Sequence, residues 1–182
     1  MIYIVTALKP EAQAFVERYK LQKSKLRDFS VFSNSRMRLI VGGVGVDAAR
    51  RATQTLIDFY DITDEDIYIN IGICGGDGAY AIGELIEAGA LLYAGQTYAL
   101  PSKTPHILAC SDTEVSHDGF RLADMESFGF YEAVSLSKAI KRFYIFKVVS
   151  DRFEPQTVTK EGTKKLLAEA LKLLEKRFLL QG

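Results

Sequence analysis

The sequence predicts an α/β domain of three layers, in which helices cover both faces of a central mixed, twisted β-sheet. Short apolar runs rich in β-branched and aromatic residues alternate along the chain with segments of helical periodicity. Two consecutive strand-like runs, 29–33 and 37–45, are separated only by three turn-forming residues and therefore indicate an antiparallel hairpin. A parallel α/β sheet that includes such a hairpin is mixed. The 182 residues suit one domain with a sizeable core, and we predict a single domain over 1–182.

The first half of the chain supplies the first helices and strands of this pattern. Residues 2–8 form a buried strand, and Pro10 fits the first turn of a helix that runs to about Tyr19. Residues 46–60 carry apolar side chains at helical spacing, and 66–76 form a second buried strand that ends in glycines.

The second half is less regular. Residues 83–100 are mostly strand-like, and 106–111 form a short strand. A helix is predicted to begin near Asp124, a buried strand spans 143–151, and an amphipathic helix spans about 160–180. The apolar stripe of the first of these helices consists of Gly129, Ala133, Leu136 and Ile140, and that of the second of Leu167, Leu171, Leu174 and Phe178.

Composition excludes several classes of function. Lysine plus arginine and aspartate plus glutamate each total 23, so no broad basic field is available to bind nucleic acid or an anionic membrane. No apolar run reaches the ~20 residues that span a bilayer, and the N-terminus lacks the basic leader of a signal peptide. Two cysteines and two histidines are too few for a disulfide framework and lack zinc-ligand spacing. We therefore expect a cytoplasmic protein with no metal and no cofactor.

Three acidic residues stand at places where a ligand is expected. Ligands of open α/β sheets bind beyond the carboxyl ends of the strands. Glu11 follows the first strand, and Asp151 ends the strand 143–151. Glu126 lies three residues before Gly129, in phase with the apolar stripe of its helix. If the three acids converge, one carboxyl group can act as an acid and another as a base.

Each feature also has a purely structural explanation. Glu11 and Glu126 could simply favour a helix N-terminus through the helix dipole, an effect worth a few tenths of a kcal/mol to ~1 kcal/mol. Asp124 is well placed as an N-cap, and Asp151 could cap a loop. The glycine clusters at 42–45 and 72–76 match neither the dinucleotide fingerprint nor a P-loop, and tight turns would account for them.

Five segments in order resemble the purine nucleoside phosphorylase and nucleosidase superfamily. The resemblance is closer to its hydrolytic branch, which includes methylthioadenosine/S-adenosylhomocysteine nucleosidase and futalosine hydrolase. A glycine strand, a Met-Glu pair and a Ser-Asp pair in this order make the resemblance specific. The segments are IVTALKPEAQAF (4–15), GGVGVDAARRAT (42–53), INIGICGGDGAYAIGELIEAG (69–89), ADMESFGF (123–130) and VVSD (148–151).

The resemblance implies a nucleoside phosphorylase-like fold and hydrolysis of the N-glycosidic bond of a purine nucleoside, such as a methylthioadenosine-, adenosylhomocysteine- or futalosine-like compound. It implies that Glu11 activates water and that Asp151 supplies a proton to the purine N7. It also implies a homodimer. The substrate-binding residues that it implies are Ile73 and Gly75 in the glycine strand, Met125 under the sugar, Glu126 on the ribose hydroxyls and Ser150 near the purine.

The chain also departs from the family pattern. Asn70 and Ile73 stand where phosphorylases hold phosphate, which favours water as the nucleophile. A phosphorylase with an unusual phosphate site and a degenerate member that binds a nucleoside or adenine without turnover remain the alternatives. The stretch between Gly76 and Asp124 is shorter than in the family, so no residue that stacks on the base can be assigned by motif. Candidates for contact with the base are Phe120, Phe128, Phe153 and His117, and Cys74 and Cys110 are predicted to be inert core residues.

Overall fold

The computed structural model describes residues 1–116 and 119–176. His117, Phe178 and the predicted helical residues beyond 176 lie outside these ranges. The helices are α1 (Lys9–Tyr19), α2 (Val46–Phe59), α3 (Ser127–Leu136) and α4 (Lys160–Leu174), with a 3-10 turn at Pro155–Thr157. The strands are β1 (Ile2–Thr6), β2 (Gln22–Leu26), β3 (Phe29–Ser33), β4 (Met37–Val41), β5 (Ile67–Gly76), β6 (Leu85–Glu87), β7 (Ala90–Tyr93), β8 (Gln96–Ala99), β9 (Ile107–Cys110), β10 (Leu122–Asp124) and β11 (Arg142–Asp151).

These strands form one mixed sheet, as predicted. The order is β2-β3-β4-β1-β5-β10-β9-β7-β8, and β11 pairs with β5 and β6. Strand β1 runs parallel to β4 and β5, and β5 runs parallel to β11, whereas β2, β3 and β4 are joined as antiparallel hairpins. The parallel strands β1, β4, β5 and β11 therefore end at one edge of the sheet.

Helices cover both faces, which confirms the predicted three-layer α/β/α architecture. On one face α1 and α4 pack against each other and the sheet, with Phe15 and Leu171 in a shared apolar cluster. On the other face α2 and α3 contribute Leu56 and Phe130 to a second cluster. A side chain at Gly129 would collide with the carbonyl of Val46, so this glycine allows α3 to approach α2 closely.

Several predicted boundaries are wrong. The helix predicted from Asp124 begins at Ser127, because residues 122–124 pair with β9 and β5 as a short strand. Its predicted stripe also fails at the end, since Leu136 is 77% exposed and Ile140 follows the helix. Strand β2, QKSKL, was not predicted because this edge strand is mostly polar and exposed and lacks an apolar pattern. Within the described ranges, none of the helices combines the length and apolarity needed to cross a membrane.

Candidate functional site

The seven residues expected in the site line a single cleft of about 270 Å³ at the carboxyl edge of the parallel strands. This size is near the lower limit for small-molecule sites. Its wall comprises loops after β1, β4 and β11, the end of β5 and the junction of β10 with α3. The seven are Glu11, Ile73, Gly75, Met125, Glu126, Ser150 and Asp151.

The cleft opens where the sheet divides. Along one edge of β5, pairing with β1 stops at Asn70, and pairing with β10 begins only at Gly75. The intervening backbone therefore lacks a neighbouring strand on that side. Glu11 occupies the gap, and its Oε1 accepts a hydrogen bond from the N–H of Ile73 at 3.0 Å. The carboxylate thus takes the place of a strand partner.

Glu11 is held from a second direction by its own helix start. Its Oε2 accepts hydrogen bonds from the N–H groups of Ala7 and Leu8 at 2.9 and 2.8 Å. The side chain is 2% exposed, and this burial raises the pKa of Glu11, although the ammonium group of Lys147 and the three N–H donors act in the opposite direction. A side chain at Gly72 would place its Cβ 2.6 Å from Glu11 Oε1, so any larger residue there would displace the carboxylate. The structure therefore provides a fixed, buried carboxylate with enhanced basicity.

Lys147 is a buried lysine beneath the cleft that the sequence reasoning did not identify. It lies in the middle of β11, is 2% exposed, and its Nζ is 2.7 Å from Asp124 Oδ2 and 3.6 Å from Glu126 Oε2. Burial alone would lower the pKa of Lys147, but the carboxylates of Asp124, Glu126 and Glu11 raise it above its ordinary value. The lysine therefore stays charged beneath the acidic residues. The sequence feature that could have identified Lys147 is its position within an otherwise apolar run of strand residues, where a charge needs a partner.

Asp124 links this lysine to the start of α3. Its Oδ2 accepts hydrogen bonds from the N–H groups of Glu126 and Ser127 at 3.2 and 2.9 Å, and its Oδ1 accepts one from the Ser127 hydroxyl at 2.6 Å. The predicted capping role of Asp124 is thus present, although the residue belongs to β10 rather than to the helix. Asp124 ties Lys147 and the backbone of Glu126 into one buried network.

Glu126 is the residue just before α3, and it lines the cleft. Its Oε1 accepts a hydrogen bond from the N–H of Gly45 at 3.2 Å, and Gly45 has a φ of +102° that favours glycine. The side chain is 8% exposed, and the pKa of Glu126 is raised to about 7. Burial is the main cause and the charges of Asp124 and Glu11 act in the same direction, whereas the ammonium group of Lys147 opposes them. The turn at 42–45 therefore positions a carboxylate that changes charge near neutral pH.

Ser150 and Asp151 enter the cleft through an irregularity in β11. The register with β5 shifts between Val149 and Asp151, so Ser150 is an extra residue in the strand. The Ser150 hydroxyl lies 2.6 Å from Asp151 Oδ2 and 3.1 Å from the carbonyl oxygen of Cys74. The N–H of Glu154 donates to Asp151 Oδ1 at 2.8 Å. Because of this bulge, adjacent residues reach the same cleft.

The end of the cleft near Asp151 is mainly apolar. Phe153 is 5% exposed and packs with Ala109, Ala123 and Val115. A Cβ at Gly75 would lie 2.7 Å from the Phe153 ring and 3.6 Å from Asp151 Oδ1, so Gly75 leaves room for both. Of the three phenylalanines considered for base stacking, only Phe153 lines the cleft.

The other two phenylalanines lie elsewhere. Phe128 stacks on Tyr93, with ring centroids 4.0 Å apart, and Phe120 borders neighbouring surface pockets. His117 is outside the described residues. Both cysteines are buried, and burial raises their thiol pKa values, so no thiolate nucleophile is expected at neutral pH.

All charged side chains lining the described part of the cleft are acidic. The segment between Gly76 and Asp124 contains strands but no helix among its described residues. In residues 1–116 and 119–176, no group of three histidine, cysteine, aspartate or glutamate side chains is arranged to hold a metal ion. The acidic lining residues are Glu11, Glu114, Asp124, Glu126 and Asp151.

The comparisons with known proteins show a similarity of fold but no significant similarity of sequence. No protein-family model matches the chain, and no curated protein matches its sequence significantly. Solved structures, in contrast, match over nearly its full length. A methylthioadenosine/S-adenosylhomocysteine nucleosidase from Streptococcus pneumoniae, solved with the transition-state inhibitor MT-ImmA, aligns with a TM-score of 0.77 and 16% identity, covering 95% of this chain and 96% of that one.

Two further structures show the same relationship. The apo 5′-methylthioadenosine nucleosidase of Arabidopsis thaliana aligns with a TM-score of 0.73 and 18% identity, covering 100% of this chain and 98% of that one. The futalosine hydrolase of Helicobacter pylori aligns with a TM-score of 0.75 and 12% identity, covering 96% and 95%. The chain therefore has the same three-layer α/β/α fold as these two nucleosidases and the futalosine hydrolase.

Proposed function

We propose that this protein hydrolyses the N-glycosidic bond of a purine nucleoside or a related nucleoside and releases the free base. One observation carries the proposal: Glu11, Glu126 and Asp151, which are far apart in the sequence, line the same cleft at the strand ends. The fold shared with methylthioadenosine/S-adenosylhomocysteine nucleosidases and a futalosine hydrolase supports it.

In the proposed reaction, the bond between C1′ of the sugar and N9 of the base breaks, and its electron pair passes to the base. Asp151 delivers a proton to N7, which makes the purine a better leaving group. Water attacks C1′ and transfers a proton to Glu11, whose burial makes it a stronger base. The sugar passes through an oxocarbenium-like state, as in other glycoside hydrolysis.

Glu126 and Met125 would hold the sugar during this reaction. The carboxylate of Glu126, positioned by Gly45 and Lys147, accepts hydrogen bonds from the ribose hydroxyls, and Met125 packs beneath the ring. Positive charge that develops on the sugar is stabilised by the surrounding carboxylates. Ser150 donates to Asp151 Oδ2 and so orients the proton-transferring group.

Electrostatics favour hydrolysis over phosphorolysis. A phosphate dianion would need cationic or N–H donors, but no lysine, arginine or histidine lines the cleft in residues 1–116 and 119–176. Lys147 lies beneath the acidic residues and is paired with Asp124. Water is therefore the proposed nucleophile.

The test is a panel of methylthioadenosine, adenosylhomocysteine, inosine and futalosine, assayed for free base with and without phosphate. The proposal predicts release of the base from at least one compound in phosphate-free buffer, with a free sugar as the second product. Release that depends on phosphate and gives a sugar 1-phosphate would identify a phosphorylase. A thermal shift with adenine but no release from any nucleoside would indicate a non-catalytic binder. The homodimer implied by the resemblance stays a prediction, which sedimentation velocity tests.

A further inference from the structure

The side chain of Arg152 joins the two strand ends that form the base end of the cleft. The pairing of β11 with β5 stops at Asp151 and Gly75. Beyond that point, Arg152 Nη1 donates hydrogen bonds to the carbonyl oxygens of Gly76 at 3.2 Å and Asp77 at 2.7 Å. The positive charge of the donor strengthens both bonds. The guanidinium group therefore continues the contact between the two strands past the end of their pairing.

Arg152 itself lies outside the cleft, although both of its neighbours line it. Asp151 and Phe153 belong to the wall of the cleft, whereas Arg152 is exposed and lines a neighbouring pocket together with Gly76 and Asp77. The guanidinium group is therefore not among the described groups that would touch a nucleoside. An effect of Arg152 on the reaction has to pass through the residues on either side of it.

The turn formed by residues 151–154 has a backbone conformation that needs support from its surroundings. Phe153 has a φ of +61°, in the left-handed region that bulky residues seldom adopt. The N–H of Glu154 donates to Asp151 Oδ1 at 2.8 Å and closes the turn at its far end. Arg152 fastens the near end to β5. These contacts hold a conformation that the chain alone would not favour.

The position of this turn determines where the apolar wall of the base end lies. The ring of Phe153 is 2.7 Å from the position that a Cβ at Gly75 would occupy. Asp151 presents its carboxyl group to the same cleft, and the Ser150 hydroxyl lies 2.6 Å from its Oδ2. If the turn moved, Asp151 would keep its contact with Ser150. Phe153, in contrast, would lose the backbone conformation that aims its ring at the cleft.

We infer that Arg152 is a positioning residue of the proposed nucleosidase: by fastening the turn 151–154 to the end of β5, it holds Phe153 against the site of the base. This inference rests on the proposed function and deepens it. It assigns an effect on base binding to an exposed side chain outside the cleft, and it states that this effect is exerted through Phe153.

The first experiment measures KM and kcat of Arg152→Met with a nucleoside that the wild type hydrolyses. Methionine keeps an unbranched side chain and removes the donors. KM should rise by about 5- to 10-fold, the size of effect expected from losing hydrogen bonds that hold a binding residue. The fall in kcat should stay within about 3-fold, because Asp151 keeps its contact with Ser150. Arg152→Lys should restore part of the affinity, since an ammonium group can donate to the same carbonyl oxygens.

A double-mutant cycle tests whether the effect passes through Phe153. In the Phe153→Ala background, Arg152→Met should change KM by less than about 2-fold, because the ring that Arg152 positions is already absent. Arg121→Met is the matched control. Arg121 lines the same neighbouring pocket but donates to the side chain of Asp77 rather than to the main-chain carbonyls at the end of β5, so its loss should leave KM unchanged. Circular dichroism checks that all variants fold.

The inference is overturned if Arg152→Met has the KM of the wild type, or if it raises KM equally with and without the ring of Phe153. If the wild type hydrolyses no nucleoside, the proposed hydrolysis fails by itself, and hydrogen exchange of the Glu154 amide tests the position of the turn. That amide should exchange at least about 10-fold faster in Arg152→Met. The amide of Gly162, which donates to Thr159 Oγ1 at 3.0 Å, should be unaffected. Equal exchange of the Glu154 amide in both proteins would also overturn the inference.

Discussion

The two ends of the cleft are built differently. At the end that would hold water and ribose, Glu11 and Glu126 are fixed by backbone N–H groups, and the buried Lys147 pairs with Asp124 and Glu126. At the end that would hold the base, one carboxyl group, Asp151, stands beside an apolar surface formed by Phe153 and its neighbours.

This contrast indicates that the two ends of the cleft have different functions. The first end has preorganised charges, which suits chemistry that creates positive charge on a sugar and removes a proton from water. The second end offers shape and one proton-transfer group, which suits binding of a planar base. Changes at the first end should therefore lower the rate or the stability strongly, and changes at the second end should mainly weaken binding.

The largest expected effect on activity comes from Glu11→Gln. Removing the general base should lower kcat by about 10²–10⁴-fold while the fold is retained. The measurement is base release under saturating nucleoside. Glu17→Gln on the same helix is the matched control, since Glu17 is exposed and pairs only at the surface with Lys164 and Gln13. Equal activity of Glu11→Gln and wild type would remove Glu11 from the mechanism.

Lys147→Met should be the most damaging change for stability. It leaves Asp124 and Glu126 buried without their cation, a situation that typically costs about 3–5 kcal/mol. The loss should be largest at high pH, because burial raises the pKa of Glu126 and its carboxyl group binds a proton as the pH falls. Chemical denaturation across pH measures it.

A second substitution tests whether charge is the cause. Lys147→Met combined with Asp124→Asn should recover part of the lost stability, because the double variant buries one carboxylate fewer. If the double variant is no more stable than Lys147→Met alone, the ion pair does not explain the effect.

Gly72→Ala should act through Glu11. The added Cβ would lie 2.6 Å from Glu11 Oε1, so the flexible carboxylate must move from its position. We expect roughly a 10- to 100-fold loss in kcat with little change in Tm, because displaced catalytic groups lose their alignment. Gly78→Ala, where nothing lies within 4 Å of the added atom, should behave as wild type. A full-rate Gly72→Ala enzyme would show that the position of Glu11 is unimportant.

Glu126 should produce a pH dependence near neutrality. Its pKa of about 7 lies above the ordinary value of 4.5 because it is buried. If the carboxylate form binds ribose, kcat/KM should rise by several-fold as pH increases through about 7, and this rise should be absent in Glu126→Gln.

The same shift affects stability with a defined sign. Between pH 4.5 and about 7 the native state holds a proton on Glu126 that the unfolded state has released, so the free energy of unfolding falls as pH rises over that range. Glu126→Gln should reduce this slope by the contribution of Glu126 and leave that of Glu11, whose pKa burial also raises. A slope that persists unchanged would assign it to another group.

The smallest effect is expected at the base end. Phe153→Ala should raise KM by about 10-fold with little change in kcat, since the loss of one stacking partner costs about 1–3 kcal/mol. Phe128→Ala removes an aromatic side chain of the same size that lies outside the cleft and should leave KM unchanged. A fall in kcat without a change in KM for Phe153→Ala would contradict the proposal that this end of the cleft mainly binds the base.

The same contrast explains how much the sequence could predict. Glu11, the Met-Glu pair and the Ser-Asp pair could be proposed from the sequence because each belongs to a short motif at a strand or helix end, and the structure places all of them in one cleft. Lys147 was missed because its partners become visible only when β11 is placed against the start of α3. The gap in the sheet that Glu11 fills is likewise a property of strand lengths and pairing rather than of any motif.

At the base end, sequence reasoning produced three candidate phenylalanines and no means to choose. In the structure, only Phe153 of the three lines the cleft. Its backbone has a left-handed conformation, with a φ of +61°, and its ring occupies the space that a side chain at position 75 would fill. Neither is encoded in a local pattern. The fold class was predicted correctly because alternating periodicities report on the layers directly, whereas the start of α3 was displaced because three residues joined the sheet instead.

Binding of methylthio-immucillin-A tests whether the carboxylates of the cleft stabilise positive charge on a nucleoside sugar. This compound resembles a methylthioadenosine whose sugar-like ring carries a cationic nitrogen. If the carboxylates do so, we expect a Kd at least about 100-fold below that of methylthioadenosine, and the Glu11→Gln variant should lose a large part of this gain in affinity. Binding no tighter than that of methylthioadenosine, or equal in wild type and Glu11→Gln, would contradict it.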